Sequence, residues 1–181
     1  MNRAPSARLI ATALVTAALA ATVAWAPAAA GAPRAVSACM AADLSAKVTG
    51  GGAGMSQPAV YITVTNTSGQ RCTVNGYPSL TGAWTKMGRQ QISVTNGAVM
   101  NAPESKPRRI VLAPGGSAWF AVGAATAYDP PVVSFTRMSF TVASGAGNNT
   151  VRMSLQATAP SGKAFPLGVT AFAPGVGTSE G

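Results

Sequence analysis

Between Val60 and Thr65 the chain alternates strictly, with Val60, Ile62 and Val64 set against Tyr61, Thr63 and Thr65. A period of two is that of a β-strand, whose successive side chains point to opposite faces, and it predicts one face in a core and the other in water. The same alternation recurs at Ile110 and Leu112, at Ala118, Phe120 and Val122, at Met138, Phe140 and Val142, and at Val151, Met153 and Leu155. Turn signals separate these stretches: NTSG at 66–69, Asn75-Gly76, Asn96-Gly97 between ISV and AVM, APGG at 113–116, YDPP at 128–131 and SGAGNN at 144–149. Short strands about 8 to 12 residues apart, with no sustained helical period, predict an all-β antiparallel sandwich with little helix.

The first thirty residues break this pattern. Arg3 and Arg8 precede an uncharged Ala/Thr-rich run, LIATALVTAALAATVAWA, and small residues then supply an A-x-A motif near Ala28 and Ala30. That order predicts an export signal over 1–30, a short linker over 31–38, a sandwich domain over 39–173 and a flexible tail over 174–181. No later segment is long and apolar enough for a second membrane span.

Composition narrows the function classes. The 181 residues hold 13 basic and 4 acidic side chains and no histidine. Loss of Arg3 and Arg8 with the signal leaves a net charge of +7. Without histidine a Ser-His-Asp or Cys-His arrangement is impossible, and zinc, copper and haem sites lose their commonest ligand. Ser56 and Ser117 fail the G-x-S-x-G pattern, and no serine stands three before a lysine. Asp43, Glu104 and Asp129 lie far apart in the body of the chain, with Glu180 in the tail. We therefore expect no enzyme, no catalytic residues, no cofactor and no metal, and keep a carboxylate-dependent hydrolase as a lesser alternative. The run TGGGAG at 49–54 lacks the Lys-Ser/Thr of a phosphate-binding loop and reads as a flexible loop between the first two strands.

Cys39 and Cys72 stand 33 positions apart. In an oxidising compartment an isolated pair is most simply a disulfide, worth about 4 kcal/mol in the chain-entropy model, and it would tie the first strand to the corner at 72–80. VSAC at 36–39 also matches the small residues before a lipoprotein cysteine, so a structural lipoprotein anchored through Cys39 stays open. Pro27, Pro33 and Arg34 separate that cysteine from the apolar run, which weighs for the disulfide. In CTVNGYPSL, Asn75-Gly76 favours a turn with positive φ, Pro78 fixes the chain, and Tyr77 can bury its ring while its hydroxyl ties a neighbouring carbonyl.

Four marks in order, Thr65-Asn66-Thr67-Ser68-Gly69, Cys72, Gly76-Tyr77-Pro78 and Leu112-Ala113-Pro114-Gly115, preceded by Cys39, resemble the actinobacterial exported domain of unknown function numbered 4232 over about 39–172. The resemblance implies a secreted or lipid-anchored envelope domain with an immunoglobulin-like sandwich fold, and Cys39 paired with Cys72. It implies no activity. The chain lacks a later cysteine pair that many members carry.

Candidate binding positions are few. Tyr77 sits in a loop at an end of the sandwich, and Trp119 points away from core-facing Phe120, where a cross-strand partner covering it is the plainer reading. Lys106, Arg108 and Arg109 form the one cluster of basic residues in sequence, KPRR, while Lys47, Arg71, Lys86, Arg89, Arg137, Arg152 and Lys163 are scattered. Alternation puts Arg108 on the side of Ile110 and Leu112 and Arg109 outward, so the three converge at one sheet edge if Arg108 swings to the rim. In an exported monomer such a cluster reads most plainly as a solvated strand entry that keeps the protein soluble; the functional reading is a contact with an envelope component, an anionic polymer or a lipid surface, rather than nucleic acid. Intact-mass measurement of the exported protein should show an amino terminus generated near Ala28–Ala30; a diacylglyceryl mass on an amino-terminal Cys39 would contradict this.

Overall fold

The computed structural model describes residues 35–54, 57–97, 99–100, 102–124, 132–159 and 161–178. The export signal, and the turn at 128–131, lie outside them. A 3-10 turn, Ala41–Asp43, precedes β1 (Leu44–Gly54), β2 (Gln57–Asn66), β3 (Cys72–Asn75), β4 (Ser79–Thr85), β5 (Gly88–Gln90) and β6 (Ile92–Asn96). These are followed by β7 (Arg109–Leu112), β8 (Ser117–Ala124), β9 (Val132–Thr141), β10 (Asn149–Thr158), β11 (Phe165–Val169) and β12 (Ala173–Pro174). The chain is all-β.

Among the described residues the strands form three sheets. A six-stranded sheet runs β1-β2-β8-β11-β6 with β12 also paired to β8, a four-stranded sheet runs β10-β9-β4-β5, and β3 pairs with β7. β10 lies against β1, β2, β8 and β11, so the two larger sheets bury their apolar faces on one another. The ladders are antiparallel except for β6 and β11, which run parallel from Phe165↔Ile92 to Val169↔Asn96.

Phe120 of β8 is fully buried where the sheets meet. Its ring stands edge-to-face against Phe140 of β9 at 4.9 Å and against Phe172 at 5.4 Å, an arrangement that adds about 0.5–1.5 kcal/mol per pair to the area buried. Ile62, Val64, Val122, Met138, Leu155 and Leu167 fill the space around it.

At one end, polar side chains fasten the turns. Buried Asn66 donates from Nδ2 to the carbonyls of Gln70 and Leu112, and its Oδ1 accepts from Ser68 N and Oγ. Its backbone exchanges bonds with Gly115 and Gly116, which joins the β2–β3 turn to the β7–β8 turn. The disulfide Cys39–Cys72 is formed, with Cα atoms 4.8 Å apart. Cys39 lies before β1 rather than on it: Ala38 bridges Thr73 in parallel, Cys39 N donates to Thr73 O, and Thr73 N donates to Ser37 O. The bond therefore fastens the segment entering the domain to the β3–β7 ladder.

Three expectations need correction. The TGGGAG run is strand rather than loop, because it pairs with β2 as far as Gly54↔Gln57. The pairing runs close at Gly51, where a Cβ would meet Ala59 O at 3.1 Å, whereas at Gly52 a Cβ would meet nothing within 4 Å. β2 is buried on both faces, because Tyr61 and Thr63 are covered by Trp119 and by the segment around Gly177. Asn96-Gly97 is a turn as expected, with Gly97 at φ of 78°, and Gly97 N donates to Val169 O, continuing the parallel pairing with β11. The hydroxyl of Tyr77 makes no bond to a carbonyl among the described residues; its position is 3.5 Å from where a Cβ on Gly97 would stand.

Removing the Cys39–Cys72 bond by Cys72→Ala should lower unfolding free energy by about 2–5 kcal/mol. Denaturant titration of variant and parent, with and without reductant, checks this; an unchanged midpoint would mean that the bond fastens nothing that folding needs.

Candidate functional site

The outward face of the four-stranded sheet is where separate strands bring charges together. In antiparallel ladders directly opposed residues share a face, their Cβ atoms about 4.5–5.5 Å apart. Arg152 of β10 opposes Arg137 of β9, Arg137 opposes Trp84 of β4, and Trp84 opposes Arg89 of β5. One file thus crosses the whole sheet in the order Arg152, Arg137, Trp84, Arg89. Lys86, in the turn between β4 and β5, stands beside it, and all four basic side chains are exposed.

Local backbone geometry holds the file together. The β9–β10 register shifts between Arg152 and Leu155, leaving both Thr136 and Arg137 outward. Bulges of this kind re-aim side chains and gather beside functional sites. Arg137 is carried over the Trp84 ring, with Cζ 4.5 Å from the centroid, and Arg89 approaches the same ring at 5.8 Å. Arg89 is further fixed by donation to Thr81 O at 2.7 Å. The indole itself lies back over Gly82, where a Cβ would come within 2.5 Å of Cη2. Glycine at 82 is thus the condition for a flat ring at 84.

Two open hollows flank the file. One of about 470 Å³ is lined by Trp84, Lys86, Thr136, Arg137 and Arg152 among others. The other, of about 590 Å³, lies between β4 and the β5–β6 connection and includes Thr81, Arg89, Gln90 and Gln91. The described acids lie elsewhere: Asp43 Oδ2 accepts from Met40 N, and Glu104 stands beside Gly97. Among the described residues no group of His, Cys, Asp or Glu could hold a metal ion. A surface of this kind can bind anions by charge-assisted, forked hydrogen bonds from guanidinium groups.

The family model of a domain of unknown function (DUF4232) matches residues 39–173. The chain belongs to this family. No curated protein and no solved structure matches it. The arginine file lies wholly inside the DUF4232 segment, as do the positions singled out from the sequence.

Of those positions in this DUF4232 domain, Tyr77 and the KPRR segment adjoin, because Asn75 pairs with Arg109 and Gly76 N donates to Arg108 O. Tyr77 is half-buried against the core, at a small hollow of about 220 Å³ with Pro78, Leu80, Val94 and Asn96. Gly76 before it has φ of 63° and its carbonyl accepts from Phe172 N, so the corner anchors the run that leads to β12. Trp119 is half-buried, edge-to-face with Tyr61 at 5.4 Å, and a Cβ on Gly177 would lie 2.9 Å from its ring. Lys106, Arg108 and Arg109 are exposed. Arg109 donates to Val36 O, and the backbone carbonyl of Arg108 accepts from Gly76 N.

The file was missed because Arg89, Arg137 and Arg152 are 63 positions apart at the extremes and read as scattered. A partial signal existed: alternation with Val151, Met153 and Met138 already placed Arg137 and Arg152 outward. Which strands adjoin, and in which register, was the missing information.

Gly82→Ala should lift the indole off the sheet. We expect a changed near-ultraviolet circular dichroism signal and a stability loss of about 1–3 kcal/mol, as for overpacked sites. A variant with the parent's spectrum and midpoint would mean that the ring has room to spare.

Proposed function

We propose that the protein is an exported, non-enzymatic binding module of the cell envelope, and that it takes an anionic component on the outward face of its four-stranded sheet. The observation that carries this reading is the direct opposition of Arg152 and Arg137, with Arg89 and Lys86 nearby. Like charges directly opposed across strands are destabilising. A bound anion relieves that repulsion, and guanidinium groups held in position lose less freedom on binding than free ones.

Export is supported by the Cys39–Cys72 disulfide, which suits an oxidising compartment, together with the signal-like leader. Its sulfur is engaged with Cys72, which favours a released protein over one lipidated at Cys39. A binding role rather than hydrolysis is favoured by the separate surroundings of Asp43, beside Met40, and Glu104, beside Gly97, and by the lack of histidine. The opposed apolar faces of the two larger sheets support an immunoglobulin-like sandwich as the finer description of the fold.

Two charge-removing variants separate the file from the KPRR cluster. On an immobilised anionic polymer at about 50 mM salt, Arg89→Gln/Arg137→Gln/Arg152→Gln should lose most retention. Lys106→Gln/Arg108→Gln/Arg109→Gln should keep most of it, and both should unfold near the parent's midpoint, since exposed charges contribute little to folding. The reverse order of retention would move the binding surface to KPRR, and equal retention by all three proteins would reject both surfaces.

A further inference from the structure

The file differs from a diffuse basic patch in spacing and in kind. It holds three arginines and no lysine within the ladder, and Lys86 stands outside it in the turn. Arginine differs from lysine at such a place because its planar fork matches a tetrahedral oxyanion bidentately and stacks on an aromatic ring, whereas an ammonium is a hydrated point charge. The aromatic contact is present: Arg137 Cζ lies over the Trp84 ring, 4.5 Å from its centroid. Arg89 retains donors beyond the one that reaches Thr81.

Spacing sets the number of anions. Arg152 and Arg137 stand on adjacent strands, close enough for their forks to meet on one group. Arg89 stands two strands beyond Arg137, about 10 Å away at backbone level, with the indole between. The whole file spans about 14 Å, three gaps between neighbouring strands. Serine, threonine and glutamine border it on β10, at Thr150, Ser154 and Gln156, so charge is concentrated along one line across the strands.

Resting on the reading that this face binds anions, we infer that it is a site for a linear phosphate polymer lying across the strands. One phosphoryl group sits in the forks of Arg152 and Arg137, the connecting unit passes Trp84, and a further phosphoryl group meets Arg89. A line one residue wide fits a chain better than the plane of a membrane. Binding here forms and breaks no covalent bond.

Titration of the purified protein with inorganic phosphate, tripolyphosphate and longer linear polyphosphates, read by tryptophan emission and calorimetry, tests the inference. Affinity should rise steeply from one phosphate to three and level off by about four or five units, when the file is full. Arg137→Lys and Arg152→Lys, which keep the charge, should each weaken tripolyphosphate about tenfold, and Trp84→Phe should remove most of the emission change. Lysine variants that bind like the parent, or a polycarboxylate of equal length and charge that binds as tightly as polyphosphate, would overturn the phosphate assignment and leave an anion-binding face. Tighter association with phosphatidylglycerol vesicles than with any polyphosphate would replace the polymer by a lipid surface. Undiminished binding of every probe by the triple glutamine variant of Arg89, Arg137 and Arg152 would reject the anion-binding reading itself.

Discussion

The register of β9 between β4 and β10 is the constraint on which the rest of the arrangement depends. A slip of one residue turns every side chain of a strand to the opposite face, so register is strongly specified wherever one face is buried. In β9 that specification comes from Met138, opposite Ala83, and from Phe140, whose ring is locked against Phe120 of the other large sheet. The same lock that closes the core therefore aligns Arg137 with Trp84 on one side and Arg152 on the other. Core packing and surface charge are two sides of one strand.

Fastenings elsewhere keep the frame fixed. The Cys39–Cys72 bond and the Asn66 side chain gather the turns at one end, so that β3, β7 and the incoming segment act as one unit. Gly177 and Tyr61 close over Trp119 on the outside of the six-stranded sheet. That closure leaves the two large sheets with different outward surfaces. The six-stranded sheet is covered at β2 and β8, whereas the four-stranded sheet presents open arginines around a supported indole.

Local pattern made much of the fold legible. Alternation identified the core positions Val60, Ile62, Phe120, Phe140 and Leu155, and the solitary cysteine pair pointed to its disulfide. Alternation failed where tertiary covering overrode it, as at Tyr61 and Thr63, and composition misled at TGGGAG, whose glycines lie in a strand paired with β2 rather than in a loop. The parallel union of β6 with β11 joins segments far apart in sequence, which no local signal encodes. The candidate site was harder still. Its members were visible singly as outward residues, yet their meeting depends on the strand order β10-β9-β4-β5 and on a bulge beside Arg137. KPRR was conspicuous because its charges adjoin in sequence, and adjacency in sequence is a poor guide to convergence across a sheet.

Strand register, rather than sequence proximity, brings Arg152, Arg137, Trp84 and Arg89 together, and the proposed anion site rests on that meeting. Residue-resolved nuclear magnetic resonance tests it most directly, by following backbone amides and arginine side-chain N–H groups while tripolyphosphate is added. Saturable shifts should gather at Trp84, Arg89, Arg137 and Arg152, on four strands at once, and residues 106–109 should stay unmoved. Shifts centred on Lys106, Arg108 and Arg109, or spread without saturation over all basic residues, would contradict it.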